Sequence, residues 1–173
     1  EGKTLCRVVE ETGRVVQVGT QQRSERQFQT AVELVRNGRI GTLTEVVVTL
    51  PFWSTKGGPF PATTAPTELD WDFYQGQAPA KPYCFERTHF VNGGGWRLWY
   101  EYAGGIITDW GNHHMDIAHW GMNLEHSGPL TIEGTARFPN EGRAHCYSTP
   151  DQFKIEMTYP GNLRLRYEGA EDN

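Results

Sequence analysis

Gly104-Gly105-Ile106-Ile107-Thr108-Asp109-Trp110-Gly111-Asn112-His113-His114-Met115-Asp116 holds the densest chemistry in the chain. The pattern predicts a helix over 109–121. Asp109, His113 and Asp116 stand at i, i+4 and i+7, which puts them on one helix face, and Trp120 continues that face. Ile106-Ile107-Thr108 reads as β-like, so Asp109 would open the helix and could also cap it. Gly104-Gly105 lets the backbone approach something closely. A carboxylate one turn before an imidazole can set the histidine's tautomer and raise its basicity. Such a histidine can take a proton from a substrate hydroxyl while hydride leaves the same carbon. The carboxylate can alternatively bind a substrate hydroxyl itself. Two plainer readings fit the same spacing. Asp109 could be only a cap and His113 only a satisfied core histidine. His113, Asp116 and His119 could also hold a metal, although ligands at i, i+3 and i+6 spread around a helix instead of converging.

Working outward, residues 3–12 place Leu5, Val8 and Val9 on one side of a helix that Gly13 stops. Val15-Val16-Gln17-Val18-Gly19 reads as a buried strand, the end of a parallel-sheet unit. A second helix is expected over 24–37, capped by Ser24, with Phe28, Ala31, Val32, Leu34 and Val35 as its apolar face and Gly38 closing it. Thr44 to Phe52 is a strong strand. Residues 54–98 form a long irregular stretch rich in Pro, Gly and aromatics, of the kind that is usually functional or partner-binding. Strands follow at 130–138, 152–159 and 162–168, the last two joined by the turn Pro160-Gly161-Asn162. No internal repeat is present.

Composition narrows the function classes. A chain of 173 residues suits one domain with a real core. Its net charge of −5, with no basic block, gives no footprint for nucleic acid. No apolar run approaches the roughly 18 residues of a membrane helix. Cys6, Cys84 and Cys146 are odd in number and make no CxxC pair, which argues against a disulfide framework or a structural zinc. The chain opens in mid-element and ends without clear closure, so a piece of a longer protein is expected, with any leader segment outside it.

The motif at 104–116 resembles the G-G-x-x-x-D-x-x-x-H-x-x-D signature of the glucose–fructose oxidoreductase / inositol dehydrogenase / MocA family. Val16-Gln17-Val18-Gly19-Thr20-Gln21-Gln22-Arg23-Ser24 resembles the end of that family's Rossmann domain. Val35-Arg36-Asn37-Gly38-Arg39-Ile40-Gly41 resembles the opening of its second domain. Leu69-Asp70-Trp71-Asp72-Phe73-Tyr74-Gln75-Gly76-Gln77-Ala78-Pro79 resembles a loop in a bacterial branch. The likeness covers most of the chain in the right order.

The resemblance implies an α+β domain on an open, mostly antiparallel or mixed sheet with helices on one face. Residues 1–23 would be a remnant of the NAD(P)-binding Rossmann domain, and 24–173 the substrate and oligomerisation domain, truncated at its C-terminus. It implies an oxidoreductase of a sugar or polyol that uses NAD or NADP and self-associates through its sheet. His113 would transfer the proton and Asp109 would contact substrate, with Asp116 in support. Departures matter equally. No G-x-G-x-x-G occurs, and the family's Glu-Lys-Pro motif is absent, so the isolated chain is expected neither to bind NAD tightly nor to turn over.

Other residues carry further expectations. Arg87, His89, Trp96, Arg97 and Tyr100, around Asn92-Gly93-Gly94-Gly95, would present polar groups and a stacking ring to sugar hydroxyls, or else serve a structural loop. Arg87, Trp96, Arg97, His114 and Asp116 are the candidate substrate contacts, and Arg23 the candidate cofactor contact. His114 points about 100° away from His113. His126, His145 and the Tyr147 region read as surface loop. Within the same fold an NAD-dependent glycosidase, and beyond it a non-catalytic sugar-binding or self-associating domain, remain alternatives. No metal, nucleic-acid or membrane partner is expected.

Overall fold

The computed structural model describes residues 2–51, 54–90 and 94–169. Phe52, Asn92, Gly93 and the terminal Glu171-Asp172-Asn173, which entered the expectations above, lie outside them. The helices are α1 (Gly2–Thr12), α2 (Arg26–Arg36), α3 (Trp71–Gln75), α4 (Phe85–Thr88) and α5 (Trp110–Met122). The strands are β1 (Glu45–Leu50), β2 (Thr131–Arg137), β3 (Gln152–Thr158) and β4 (Arg164–Gly169). They form a sheet of order β1-β4-β3-β2, with β1 parallel to β4 and the other two pairings antiparallel. This is the mixed α+β sheet expected from the sequence.

Strand alternation divides the sheet into two unlike faces. Val48, Leu50, Phe153, Leu165 and Tyr167 are buried on one side against Ile106, Ala118 and Met122 of the α5 region. The opposite side carries charge, in the pairs Glu45–Arg164 (3.6 Å), Arg166–Glu168 (3.2 Å) and Lys154–Glu156 (3.3 Å). The β3–β4 turn closes as expected, with Gly161 and Asn162 at positive φ and the Tyr159 amide donating to the Leu163 carbonyl over 2.8 Å.

Gly111 seats α5 on this sheet. A Cβ at that position would stand 1.6 Å from the Tyr167 hydroxyl oxygen. The bare backbone lets Tyr167, 3 % exposed, donate a 2.6 Å hydrogen bond to the Ile107 carbonyl just before the helix. Burial pushes the Tyr167 hydroxyl pKa well above its ordinary value, so it stays protonated and able to donate.

Several local expectations change. Val15–Gly19 is not a strand; it has no partner strand among the described residues, and Val15 is 96 % exposed. Helix α1 forms, but it buries no residue. Ser24 does not cap α2, because it belongs to a 3-10 turn at Gln21–Ser24, and Glu25 takes the cap position without a side-chain bond. Gly38 closes α2 in the left-handed conformation, as expected. Of the apolar face assigned to α2, only Val32 is buried, and Ala31 and Leu34 are exposed. Ile106-Ile107 lie in a 3-10 turn, not in an extended segment.

The long stretch before α5 builds its own core. Cys84, Leu98, Trp99 and Tyr147 pack together, with Phe60 and Tyr102 against them. Tyr147 is 1 % exposed, so its region is not the surface loop that its polar neighbours suggested. Its ring lies 4.8 Å from Phe60 and 5.6 Å from Trp99, centroid to centroid. The three cysteines are free.

Replacing Gly111 with Ala should destabilise the domain by about 2–4 kcal/mol in urea denaturation, the range of an overpacked, displaced core element. Adding Tyr167→Phe removes the atom struck first. The double variant should therefore fall short of the sum of the two single losses, and strict additivity would refute the seating role of Gly111.

Candidate active site

Helix α5 shows its two sides plainly. Gly111, Ala118 and Met122 are buried toward the sheet. At about 100° per residue, Asp109, His113 and Asp116 fall on the side turned away from it. The predicted face therefore exists, but its internal bonding is not what spacing suggested.

Asp109 holds the N-cap position without a capping bond. Its carboxylate pairs with the Arg97 guanidinium. Arg97 also lies over the Phe90 and Trp96 rings, 4.9 Å from each centroid. No hydrogen bond joins Asp109 to His113. The carboxylate reaches back to a fixed cation instead of forward to an imidazole, because a charge pair is the stronger partner. The expected tautomer-setting contact is thereby corrected. The His113 Nδ1 is buried and without a hydrogen-bond partner among the described residues. A buried unpaired nitrogen of this kind calls for an explanation.

Asp116 is equally committed. Arg23 grips it with two parallel bonds, Nε to Oδ2 and Nη2 to Oδ1, each 2.7 Å. Arg23 also reaches Glu125 Oε1 at 3.3 Å and lies 5.2 Å from the Trp120 ring. Arg36 completes the group, donating to Glu125 Oε2 at 2.5 Å and to the Trp120 carbonyl at 2.8 Å. The bond to Asp116 holds the Arg23 pKa above its ordinary value. Arg23 thus ties the 20–24 turn to α5. Two arginine–carboxylate pairs bracket His113, one turn before it and one turn after.

The remaining candidates sort by their partners. His114 stacks on Trp110, and its Nδ1 lies 2.8 Å from the Trp110 carbonyl. A carbonyl only accepts, so that nitrogen carries the proton. Arg87 is 3 % exposed, with its guanidinium 3.7 Å from the Trp99 ring centroid and bonded to Glu101 and the Tyr102 hydroxyl. It braces the aromatic core instead of reaching outward. Trp96 is 41 % exposed while carrying Arg97 against its ring. His89 stacks on Phe85 at 3.6 Å.

His119 does not join His113 and Asp116 in a metal set. Its Nε2 lies 2.7 Å from the Tyr159 hydroxyl, and Asp116 is held by Arg23. Spacing alone missed three partners. Glu125 follows Asn123, whose left-handed conformation ends α5 and turns the chain back. The asparagine is the signal that could have found it. Glu101 and Tyr159 carried no local signal, because their partners lie 14 and 40 residues away.

A sequence model described as the C-terminal alpha/beta domain of an oxidoreductase family, of the Gfo/Idh/MocA type, matches residues 39–173. The chain belongs to this family. No curated protein matches it by sequence. Among solved structures it is similar to an aldose–aldose oxidoreductase from Caulobacter crescentus complexed with glycerol. That match has 18 % identity and a TM-score of 0.62, covering 97 % of this chain and 38 % of the other. It is also similar to the WlbA dehydrogenase from Chromobacterium violaceum in complex with NADH and UDP-GlcNAcA. That match has 14 % identity and a TM-score of 0.61, covering 98 % of this chain and 37 % of the other. An NAD-binding protein from Listeria innocua matches at 15 % identity and TM-score 0.59, with shares of 98 % and 37 %. At these identities the likeness establishes the fold. The chain spans less than two fifths of the length of each of these three relatives.

Burial holds the His119 pKa below its ordinary value, against the opposing pull of Asp116 and Glu125. The unfolded chain, with a histidine pKa near about 6.5, then takes up this proton first as pH falls. Stability should be fully present above that pH and decline below it, down through the lower folded-state value. Urea midpoints measured from neutral to mildly acidic pH check this against His119→Gln, which should flatten the decline. Identical slopes for the two proteins would refute the assignment.

Proposed function

We propose that this chain is the substrate side of an NAD(P)-dependent oxidoreductase that interconverts a hydroxyl and a carbonyl on a sugar or polyol, with His113 as the proton-transfer group. The observation that carries the reading is the unpartnered, buried His113 Nδ1, held between two arginine–carboxylate pairs at the histidine position of the motif. The pairs fix α5 at both ends of the site without consuming the imidazole, which leaves it available to substrate.

The roles follow from the contacts. His113 accepts the hydroxyl proton during oxidation and returns it during reduction. Arg97, oriented by Asp109 and by the Trp96 and Phe90 rings, is placed to hold a substrate oxygen beside the motif. Trp96 offers the exposed ring face for stacking. Asp116, Arg23 and Arg87 act through others, as positioning residues. His114 supports Trp110 at the helix entrance.

Among the described residues none builds a dinucleotide cradle. The sequence has no G-x-G-x-x-G, and Arg23, the one candidate contact, is spent on Asp116 and Glu125. The cofactor would supply the hydride acceptor, and no step is assigned to it on these residues. The charged outer face of the sheet, with its alternating pairs, is proposed as the self-association surface. Residues 1–23 are proposed to belong to the preceding nucleotide domain, which would cover the exposed Leu5, Val8 and Val15.

In the full-length protein, His113→Ala should lower kcat by about 10²–10⁴-fold, the usual worth of a general acid–base group. Folding should be unaffected, as read by circular dichroism. An unchanged kcat would remove His113 from the chemistry. Calorimetric titration of the isolated 173-residue chain with NAD should show no tight binding, and tight binding would refute the division of labour.

A further inference from the structure

A chain of net charge −5 has little reason to gather cations unless they meet a negative partner. Lys81, Arg87, Arg143 and His145 nevertheless line one cavity of about 570 Å³, opposed by the single carboxylate of Glu101. That carboxylate is already used. Its Oε1 takes Arg87 Nη1 and Nη2 at 3.2 and 3.1 Å, and its Oε2 faces the Ser148 hydroxyl at 3.4 Å. Arg87 and Glu101 therefore cancel, and two cations are left over.

Among the described residues, neither Lys81 nor Arg143 makes an ion pair. Arg143 Nη1 donates to the neutral Asn140 Oδ1 at 2.8 Å, which aims the guanidinium without neutralising it. The Lys81 segment is pinned by its backbone, the amide donating to Gln75 Oε1 at 2.6 Å and the carbonyl accepting from Trp71 Nε1 at 2.8 Å. His145 is held at φ 58°, an uncommon conformation for a side-chain-bearing residue, while its carbonyl accepts from the Phe60 amide at 2.7 Å. Both flanks of the cavity are thus preorganised. Trp99 also lines it, 1 % exposed, and supplies apolar surface. Tyr100 is shared with a neighbouring cavity of about 440 Å³ that Gly104 and Thr108 of the motif also line.

We propose that this cavity binds an oxyanion, a carboxylate or phosphate carried by a sugar-sized molecule, with Lys81 and Arg143 as its counter-charges. Tyr100 lies between the anion site and the cavity that Gly104 and Thr108 line. On the oxidoreductase reading above, and resting on it, the substrate class narrows to acidic sugars. The anion site itself stands without that reading.

The test titrates the full chain with glucose, glucuronate and glucose 1-phosphate at low ionic strength, following chemical shifts by NMR. At least one acidic probe should bind about fivefold or more tightly than glucose, the range expected for a partly exposed charge pair. The acidic probe that gains distinguishes a carboxylate from a phosphate site. The preference should collapse in about 0.5 M NaCl, where screening is short-ranged. It should also collapse in Lys81→Met and Arg143→Met, with circular dichroism confirming that both variants fold. Equal binding of the three probes, no binding, or variants that keep the preference would overturn the proposal. A failure of the oxidoreductase reading has a separate readout. Full-length protein would then leave both acidic and neutral sugars unoxidised while the isolated chain kept its anion preference.

Discussion

The geometry of the site depends on one missing side chain. At Gly111 the helix backbone meets the Tyr167 hydroxyl, and any Cβ would occupy the oxygen's own space. That contact brings the sheet against the start of α5 and lets Tyr167 satisfy the part-buried Ile107 carbonyl. With Ala118 and Met122 committed to the same side, the helix rotation is set. Asp109, His113 and Asp116 can then only face away from the sheet. The chemistry of the outer face is a consequence of packing on the inner one.

The outer face is held by charge. Arg97 and Arg23 both precede the motif, one from the segment just before it and one from the distant turn before α2, and each takes one carboxylate of the helix. The bidentate Arg23–Asp116 pair fixes direction as well as distance. Arg97 is further steadied by two rings, and Arg23 by Trp120 and Glu125. Such preorganisation costs side-chain entropy during folding instead of during binding. The imidazole between the pairs is left without a hydrogen bond at its buried Nδ1 among the described residues.

Periodicity and turn chemistry made much of this legible. The helix at 109–121, four of the strands, the Pro160-Gly161-Asn162 turn and the Gly38 stop are local signals, and the structure keeps them. The shared face of Asp109, His113 and Asp116 also follows from helix geometry alone. The partners on that face do not, because each choice is made across the chain. Spacing offered Asp109 to His113, but tertiary packing delivered Arg97, a stronger partner. Residues 15–19 failed for the complementary reason. An alternating apolar run becomes a strand only beside another strand, and none of the described strands lies next to it. Ser24 failed because the chain begins to turn at Gln21, which leaves the cap one residue later.

The irregular stretch before the motif shows how a loop can carry a site without regular structure. Phe60, Trp99 and Tyr147 pack edge against face and close a small core. Arg87 is buried within it, its charge divided between Glu101 and the Trp99 and Tyr102 rings. A buried cation survives only when fully partnered, and removing one partner leaves an uncompensated charge in a low-dielectric interior. This makes Glu101 a structural carboxylate, and the consequence reaches the surface above it. Because Glu101 is consumed from below by Arg87, it makes no pair with Lys81 or Arg143 among the described residues. The aromatic core and the cationic cavity are therefore one construction. Trp99 supplies apolar lining to the cavity and a ring face to Arg87, and Arg87 holds the single carboxylate that would otherwise have cancelled the cavity's charge.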